Sequence, residues 1–251
     1  MKIASWNVNS IRQRQAHLEE WLKDVGPDIV CLQELKCQDE AFPAQAFEDL
    51  GYNIAVHGQK TFNGVAILSK YPFDEVSPRL PGDDEDIQAR YLETVISVPN
   101  QSVRVASIYL PNGNPLGSEK FPYKLKWMER LNSHARELQA YEEFLVLAGD
   151  YNVIPDEGDV HDPQKWLGDA LFQPESRAAY RQLLNMGFTN CFDVMDGRDH
   201  QYTFWDYQAG AWPKNHGIRI DHLRASPQAS DQLTSCWIDK DMRAKDKRYD
   251  H

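Results

Sequence analysis

The chain has 251 residues and a formal net charge of −11. Its surface as a whole is therefore poorly suited to non-specific binding of nucleic acid, whose affinity rests on phosphate contacts. No apolar run approaches the length of a membrane span, so we expect no membrane partner. The four cysteines show no CxxC spacing, which argues against a structural zinc site and favours a reducing, cytoplasmic location.

Helix-like and strand-like segments alternate along the chain with no low-complexity linker. This alternation predicts a single α/β domain over residues 1–251. Apolar spacing and end signals predict helices over 11–25, 43–50, 123–144 and 176–186. Ser10 is the expected N-cap of the first of these helices. The residues alone leave open whether the strands form one doubly wound sheet or two packed sheets.

The predicted strands share one feature, which is a polar side chain able to bind metal or move a proton at or near an end. In chain order these side chains are Asn7, Glu34, Tyr109, Asp150 with Asn152, Asp221, and the closing pair Asp250 and His251. One such residue after one strand is ordinary turn chemistry. Repetition on six segments favours a single cleft at the strand ends, where open sheets bind ligands. Oxygen donors of this kind suit Mg²⁺ or Mn²⁺ better than zinc.

Basic side chains are concentrated in two short segments. Lys120, Lys124 and Lys126 lie among aromatic residues, and a second group, Lys214, His216 and Arg219, follows Trp212. A local basic surface can bind DNA even on an acidic protein, with salt-sensitive affinity. We therefore expect both segments to offset the overall negative charge near a nucleic-acid substrate.

Short motifs occur in a specific order from one end of the chain to the other. They are WNVNSIR at 6–12, CLQELK at 31–36, NGVAILS at 63–69, YLPNG at 109–113, GDYN at 149–152, YTFW at 202–205, RIDH at 219–222 and DH at 250–251. Each motif is weak alone, but together they resemble the exonuclease III family of abasic-site endonucleases, within the endonuclease/exonuclease/phosphatase superfamily. The resemblance implies a four-layer α/β sandwich, with two packed β-sheets flanked by helices.

The resemblance also implies roles for the polar side chains. Glu34 holds Mg²⁺, for which Mn²⁺ can substitute, and the residues near the ion or sharing it are Asn7, Asp150, Asn152, Asp250 and His251. Asp150 activates the attacking water, Tyr109 donates to the phosphate, and Asn152 holds either the phosphate or that water. Asp221 pairs with His251. The residues themselves leave alternatives open: Glu34 could form a salt bridge with Lys36, and Tyr109 could be purely structural.

The implied substrate is duplex DNA with abasic sites or blocked 3′ ends, bound by a monomer. Phe204 is placed in the abasic pocket by the resemblance, and Trp212 suits the wall of the same pocket. Asn112 follows Tyr109 on the phosphate-contacting loop, and Arg90 is expected near DNA phosphates. Aromatic residues in strands most often belong to the core, which is the alternative for this region.

The end of the chain departs from the resemblance. Family members continue into a final strand after the closing Asp-His, whereas this sequence stops at His251. We expect this end to fray and cleavage to be slower than in an extended chain. Two other functions stay open. One is a phosphatase of the same superfamily acting on a phosphoinositide or other small phosphoester, and the other is a catalytically impaired module that binds damaged DNA.

Overall fold

The computed structural model describes residues 1–206, 210–240 and 242. These residues form two compact units. Unit 1 comprises Met1–Tyr109 and Glu143–Asp150. Unit 2 comprises Leu110–Glu142 and the described residues from Tyr151 onward. The expectation of one domain over the whole chain stays a prediction.

The first sheet of unit 1 is built on a central strand that is buried along its whole length. Its strands are β1 (Ile3–Asn7), β2 (Ile29–Gln33), β3 (Asn53–His57) and β4 (Val65–Ser69), in the order β1-β2-β4-β3. All five residues of β2 are buried, as its apolar sequence predicts. Strands β1 and β2 run parallel with Asn7 opposite Gln33, so their carboxyl ends lie side by side.

A second run of strands in unit 1 pairs in sequence order. These strands are β5 (Phe73–Pro78), β6 (Tyr91–Val98), β7 (Gln101–Tyr109) and β8 (Phe144–Asp150). Strands β7 and β8 are parallel, with Tyr109 opposite Asp150. The two sheets face each other, because Gln33 on β2 donates to the Ser107 hydroxyl of β7 at 3.0 Å. That hydroxyl in turn donates to the Leu32 carbonyl at 2.9 Å.

Two helices of unit 1 follow the predicted positions closely. They are α1 (Ile11–Val25) and α2 (Ala44–Glu48). Helix α1 ends at Gly26, whose φ of 60° is the left-handed conformation that glycine adopts without steric cost. The Ser10 side chain makes no capping hydrogen bond, so that prediction was wrong. Its backbone N–H instead donates to the Glu34 carbonyl at 2.8 Å and ties the helix start to the end of β2.

Unit 2 is organised around two long helices and a short strand pair. Its helices are α3 (Lys120–Gln139), α4 (Pro163–Trp166), α5 (Pro174–Asn185), α6 (Cys191–Met195) and α7 (Pro227–Ser230). Strands β9 (Thr189–Asn190) and β10 (Asp221–Ala225) pair antiparallel. Buried Asn132 of α3 donates to the Ala179 carbonyl and the Gln182 side chain of α5, at 3.0 and 2.9 Å.

The predicted bounds of helix α3 and strand β10 were shifted. Helix α3 ends at Gln139 because the chain turns at Glu142, with a φ of 54°, and Phe144 already pairs with Val103 in β8. Asp221 opens β10 rather than lying in a strand that begins at Ile218. None of the helices within the described ranges has both the length and the apolar character needed to cross a membrane.

Candidate active site

Three of the predicted site residues meet at the strand ends of unit 1. Asn7 closes β1, Glu34 directly follows β2, and Asp150 closes β8. The Asn7 side-chain amide donates to Glu34 Oε1 at 2.9 Å and to Asp150 Oδ2 at 3.0 Å. Asn7 and Asp150 are buried. One amide group therefore orients two carboxylates, of which Asp150 is buried and needs a donor, while Glu34 is half-buried.

Tyr109 joins these three residues to form what we call the acid–amide cluster. Its side chain lies close enough to Glu34 and Asp150 for both charges to act on its hydroxyl, and its backbone lies opposite Asp150 in the sheet. Burial raises the pKa of Tyr109 well above its usual value, and the negative charges of Glu34 and Asp150 raise it further. The phenol therefore keeps its proton and remains a hydrogen-bond donor. The fold brings Tyr109 next to these carboxylates, and its role toward the phosphate stays a prediction.

Arg90 packs against the same tyrosine. Its guanidinium carbon lies 4.9 Å from the centre of the Tyr109 ring, and Nη1 donates to the Tyr109 carbonyl at 3.3 Å. The Tyr109 N–H donates back to the Arg90 carbonyl at 2.8 Å. Gln88 accepts from Arg90 Nε at 2.8 Å. These contacts fix a cation beside the acid–amide cluster, which suits the predicted contact with a phosphate.

Glu34 has a counter-charge already. Lys36 Nζ lies 2.9 Å from Glu34 Oε2 and also donates to the Asn9 side chain. The alternative considered for Glu34, a salt bridge with Lys36, is therefore observed. It does not exclude a metal ligand role, since each carboxylate oxygen has two lone pairs and can accept a second interaction besides Asn7 or Lys36.

The donor set of the acid–amide cluster fits a hard divalent cation. Two carboxylates and an amide offer only oxygen ligands for a metal, which is the preference of Mg²⁺ and Mn²⁺. Among the residues the structure describes, no group of three or more His, Cys, Asp or Glu side chains is arranged to hold a metal ion by itself. Two further predicted ligands, Asp250 and His251, lie outside the described residues.

Asn112 and Asn152 form a second arrangement, within unit 2. The exposed Asn112 donates through Nδ2 to the buried Asn152 Oδ1 at 3.2 Å. Asn152 Nδ2 donates to the Leu110 carbonyl at 2.8 Å. The backbone of Asn152 has a φ of 47°, a left-handed conformation that is uncommon outside glycine. We call this arrangement the amide pair; the sequence placed both residues near a phosphate but gave no sign that they touch.

Asp221 is half-buried at the start of β10. The hydroxyl of Thr203 accepts from its backbone N–H at 3.2 Å. Its neighbour His222 is buried, as expected for a strand residue that points to the opposite face. The predicted partner of Asp221 is His251, which lies outside the described residues, so the pairing stays a prediction.

The two aromatic residues predicted to contact substrate pack partly on the core of unit 2. Phe204 is half-buried against a buried apolar cluster of Ile154, Val160, Leu171, Phe172, Ile218 and Ile220. Its backbone exchanges hydrogen bonds with Ile218 at 2.9 and 3.0 Å. Trp212 is also half-buried and meets Trp205 edge to face, with ring centres 4.7 Å apart. Both residues keep an accessible part, so a substrate role is compatible with the packing.

Two basic residues were wrongly placed on a DNA-facing surface by sequence reasoning. Lys124 is fully buried. Arg219 is buried too, and its guanidinium forms ion pairs with Asp159 at 2.5 Å and Asp193 at 2.6 Å. Both cations are paired with internal groups, because burying a cation without such partners costs a large amount of free energy. Lys120 and Lys126, by contrast, are exposed.

Comparison with known proteins places the chain among phosphoester-cleaving enzymes. The pattern that defines the "Endonuclease/Exonuclease/phosphatase family" matches residues 4–241. The chain is similar to exodeoxyribonuclease III of Haemophilus influenzae, with 32% identity covering 100% of this chain and 97% of the relative. It is likewise similar to an exodeoxyribonuclease of Bacillus subtilis, with 33% identity covering 98% and 96% of the two chains.

Solved structures show the same likeness in three dimensions. An AP endonuclease from Archaeoglobus fulgidus superposes with a TM-score of 0.94 at 36% identity, covering 100% of this chain and 96% of that one. The 3′ phosphatase NExo from Neisseria, bound to a product DNA hairpin, gives a TM-score of 0.95 at 35% identity with the same coverage. The prediction of two β-sheets flanked by helices is confirmed, and so is the family resemblance.

Proposed function

Because the chain belongs to the endonuclease/exonuclease/phosphatase family, we propose that it is a divalent-metal-dependent DNA-repair nuclease. It hydrolyses the phosphodiester on the 5′ side of abasic sites and trims 3′ ends of duplex DNA. One observation carries the proposal: the Asn7 amide holds the carboxylates of Glu34 and Asp150 together. The named activities of the relatives and solved structures support DNA as the substrate.

In this proposal Asp150 is the general base. Hydrolysis of a phosphodiester needs an oriented water and a group that takes its proton. Asp150 is buried and receives the Asn7 amide on Oδ2. The other carboxylate oxygen, Oδ1, accepts the proton of the attacking water. Asn7 keeps the carboxylate in one orientation while this happens.

Glu34 is the main ligand for Mg²⁺, with Mn²⁺ as a substitute. Asn7, Asp150, Asn152, Asp250 and His251 are the candidates to share the ion or to hold its waters. When bound, the metal polarises the scissile phosphate and offsets charge on the leaving oxygen. The salt bridge with Lys36 holds the Glu34 carboxylate in place at the end of β2.

The remaining polar residues stabilise charge on the phosphate. The Tyr109 hydroxyl is a permanent donor, because its pKa lies well above the usual value. The Asn112 and Asn152 amides and the Arg90 guanidinium supply further donors to phosphoryl oxygens. Asp221 orients His251, whose charged ring donates to the same group.

Recognition of the lesion is assigned to the aromatic residues of unit 2. Phe204 and Trp212 are half-buried, so each offers a ring face or edge on a rigid support. A flat apolar wall suits an extruded sugar that carries no base. We also propose that the protein acts as a monomer in the cytoplasm, where its four cysteines remain reduced.

A set of matched substrates tests the proposal. Duplexes of one sequence carry an internal abasic analogue, a blocked 3′ phosphate or no lesion, and inositol phosphates provide a small phosphoester. We expect the two damaged duplexes to be cleaved in Mg²⁺ and the small phosphoester to release no phosphate. Preferential release from inositol phosphates would instead support the phosphatase. Tight binding of damaged DNA without cleavage would support the binding module.

A further inference from the structure

Lys124 is the most deeply buried cation of helix α3, with a relative exposure of 0%. Its ammonium donates to the Asn112 carbonyl at 3.1 Å and to the Asn152 carbonyl at 2.5 Å. These two acceptors lie on different loops, 40 residues apart in sequence. A single side chain therefore ties together the backbones of both members of the amide pair.

The surrounding backbone is shaped to admit this lysine. Gly113 has a φ of 90°, and a Cβ at that position would lie 2.7 Å from Lys124 Cδ. Any side chain at residue 113 would therefore displace the lysine stem. Asn152 is held in a left-handed conformation, and its carbonyl receives the shorter of the two ammonium hydrogen bonds. Such conformations persist only where surrounding contacts enforce them.

Contact with DNA does not explain Lys124, because a fully buried ammonium cannot reach a phosphate in solvent. General core packing does not explain it either, since an apolar residue would fill the space without the cost of burying a charge. The ammonium instead holds two loops together, so that the Asn112 and Asn152 side chains keep a fixed position relative to each other. The Asn112 to Asn152 side-chain hydrogen bond of 3.2 Å lies directly beside that anchor.

We propose that Lys124 is a positioning residue of the nuclease. It holds the backbones of Asn112 and Asn152 so that their amides reach the same phosphate in a fixed geometry. This inference rests on the proposed function, because it assumes that the amide pair acts on substrate. Lys124 itself touches neither the substrate nor the reacting atoms.

A double-mutant cycle tests the proposal. Lys124→Met keeps the volume and removes the ammonium, while Arg136→Met removes an exposed charge from the same helix as a matched control. We expect Lys124→Met to lower kcat on the abasic duplex by about 10–100-fold, the range for losing a supporting partner of an active-site ligand, with KM little changed. In an Asn152→Ala background the same change should have almost no further effect, because the residue it positions is gone.

Equal losses in both backgrounds would show a merely structural role and overturn the proposal. Gly113→Ala, which displaces the lysine stem without removing its charge, repeats the cycle if Lys124→Met does not fold.

Asparagine-selective NMR gives a readout independent of activity. The side-chain amide signals of Asn112 and Asn152 should move in Lys124→Met and stay in place in Arg136→Met. Unchanged signals would refute the inference, whereas absent cleavage by the unmodified protein would refute only the proposed function.

Discussion

The side-chain amide of Asn7, the last residue of β1, donates to the carboxylate of Asp150, the last residue of β8, at a distance of 3.0 Å. The sequence separation is 143 residues, so only the fold brings the two together. Both are buried, and Asp150 therefore keeps one orientation. That relationship makes Asp150 the strongest candidate for the general base.

Replacing Asp150 tests this assignment. Asp150→Asn preserves the shape of the side chain and removes its basicity. We expect kcat on an abasic duplex to fall by at least ~10²-fold, the scale for losing a general base, while DNA affinity is largely kept. Single-turnover cleavage and fluorescence anisotropy measure the two quantities. A turnover close to that of the unmodified protein would mean that another group takes the proton.

Phe204 gives a prediction about selectivity. Phe204→Ala should reduce discrimination between abasic and intact sites more than it slows cleavage of the best substrate. Aromatic stacking on nucleotides contributes about 1–3 kcal/mol. Phe172→Leu is the control, because Phe172 is a buried member of the apolar cluster against which Phe204 packs. Equal losses on damaged and intact duplexes would assign Phe204 to the core cluster alone.

His222 makes stability depend on pH. The residue is buried, and desolvation together with nearby Arg219 lowers its pKa well below the usual 6.5. Below about pH 6.5 this histidine therefore binds a proton in the unfolded chain but stays neutral in the folded protein. The free energy of unfolding consequently falls as pH falls through this range. His222→Phe, which keeps an aromatic ring against Tyr151 and Tyr180, should weaken this dependence.

Denaturant unfolding at pH 7.5 and pH 5.5 measures the effect. We expect the difference in unfolding free energy between the two pH values to be smaller for His222→Phe than for the unmodified protein. Burial also lowers the pKa of His57, so His57→Phe serves as a comparison. An identical pH dependence with and without His222 would show that its ring does not titrate on unfolding.

Arg224 is a buried cation of a different kind. It is 0% exposed and lies over the Tyr180 ring, 4.2 Å from its centre. None of its guanidinium nitrogens has a hydrogen-bond partner among the described residues. Burial lowers the pKa of Arg224 to about 10. We expect Arg224→Met to leave the free energy of unfolding unchanged or to raise it, since the charge is poorly compensated.

Arg104 supplies the contrast for that measurement. Its guanidinium bonds Glu93 at 2.6 Å and Glu143 at 2.5 Å. Arg104→Met should cost at most about 3 kcal/mol, the lower end for breaking a buried pair, because Glu143 is partly exposed to screening water. If the Arg224 variant loses as much stability as the Arg104 variant, then Arg224 has a stabilising partner after all.

The parts of the molecule that sequence reasoning predicted correctly depend on local patterns. Apolar runs followed by a polar residue located Asn7, Glu34 and Asp150, and parallel strand pairing then brings such ends together. Helix α1 was predicted to the residue, because Gly26 gives a clear stop signal. The motif order supplied the family and the two-sheet fold, which local patterns alone left open.

What the sequence did not give depends on long-range packing. Lys124 and Arg219 were predicted to be surface cations. No residue near them in the sequence indicates that distant carbonyls bind Lys124 and distant carboxylates bind Arg219. The contact between Asn112 and Asn152 joins two loops and has no local signature. The roles of Asp250 and His251 fall outside the described residues and stay predictions.

We propose that the acid–amide cluster binds a divalent metal and cuts DNA at abasic sites. The most direct test is cleavage of a duplex with one abasic analogue, measured in excess EDTA and again after Mg²⁺ or Mn²⁺ is restored. We predict no cleavage in EDTA and full recovery with either ion, since the cluster holds two carboxylates side by side, which need a bound cation before an anionic phosphate can approach them. Undiminished incision in excess chelator would show that the protein cuts DNA without a metal ion.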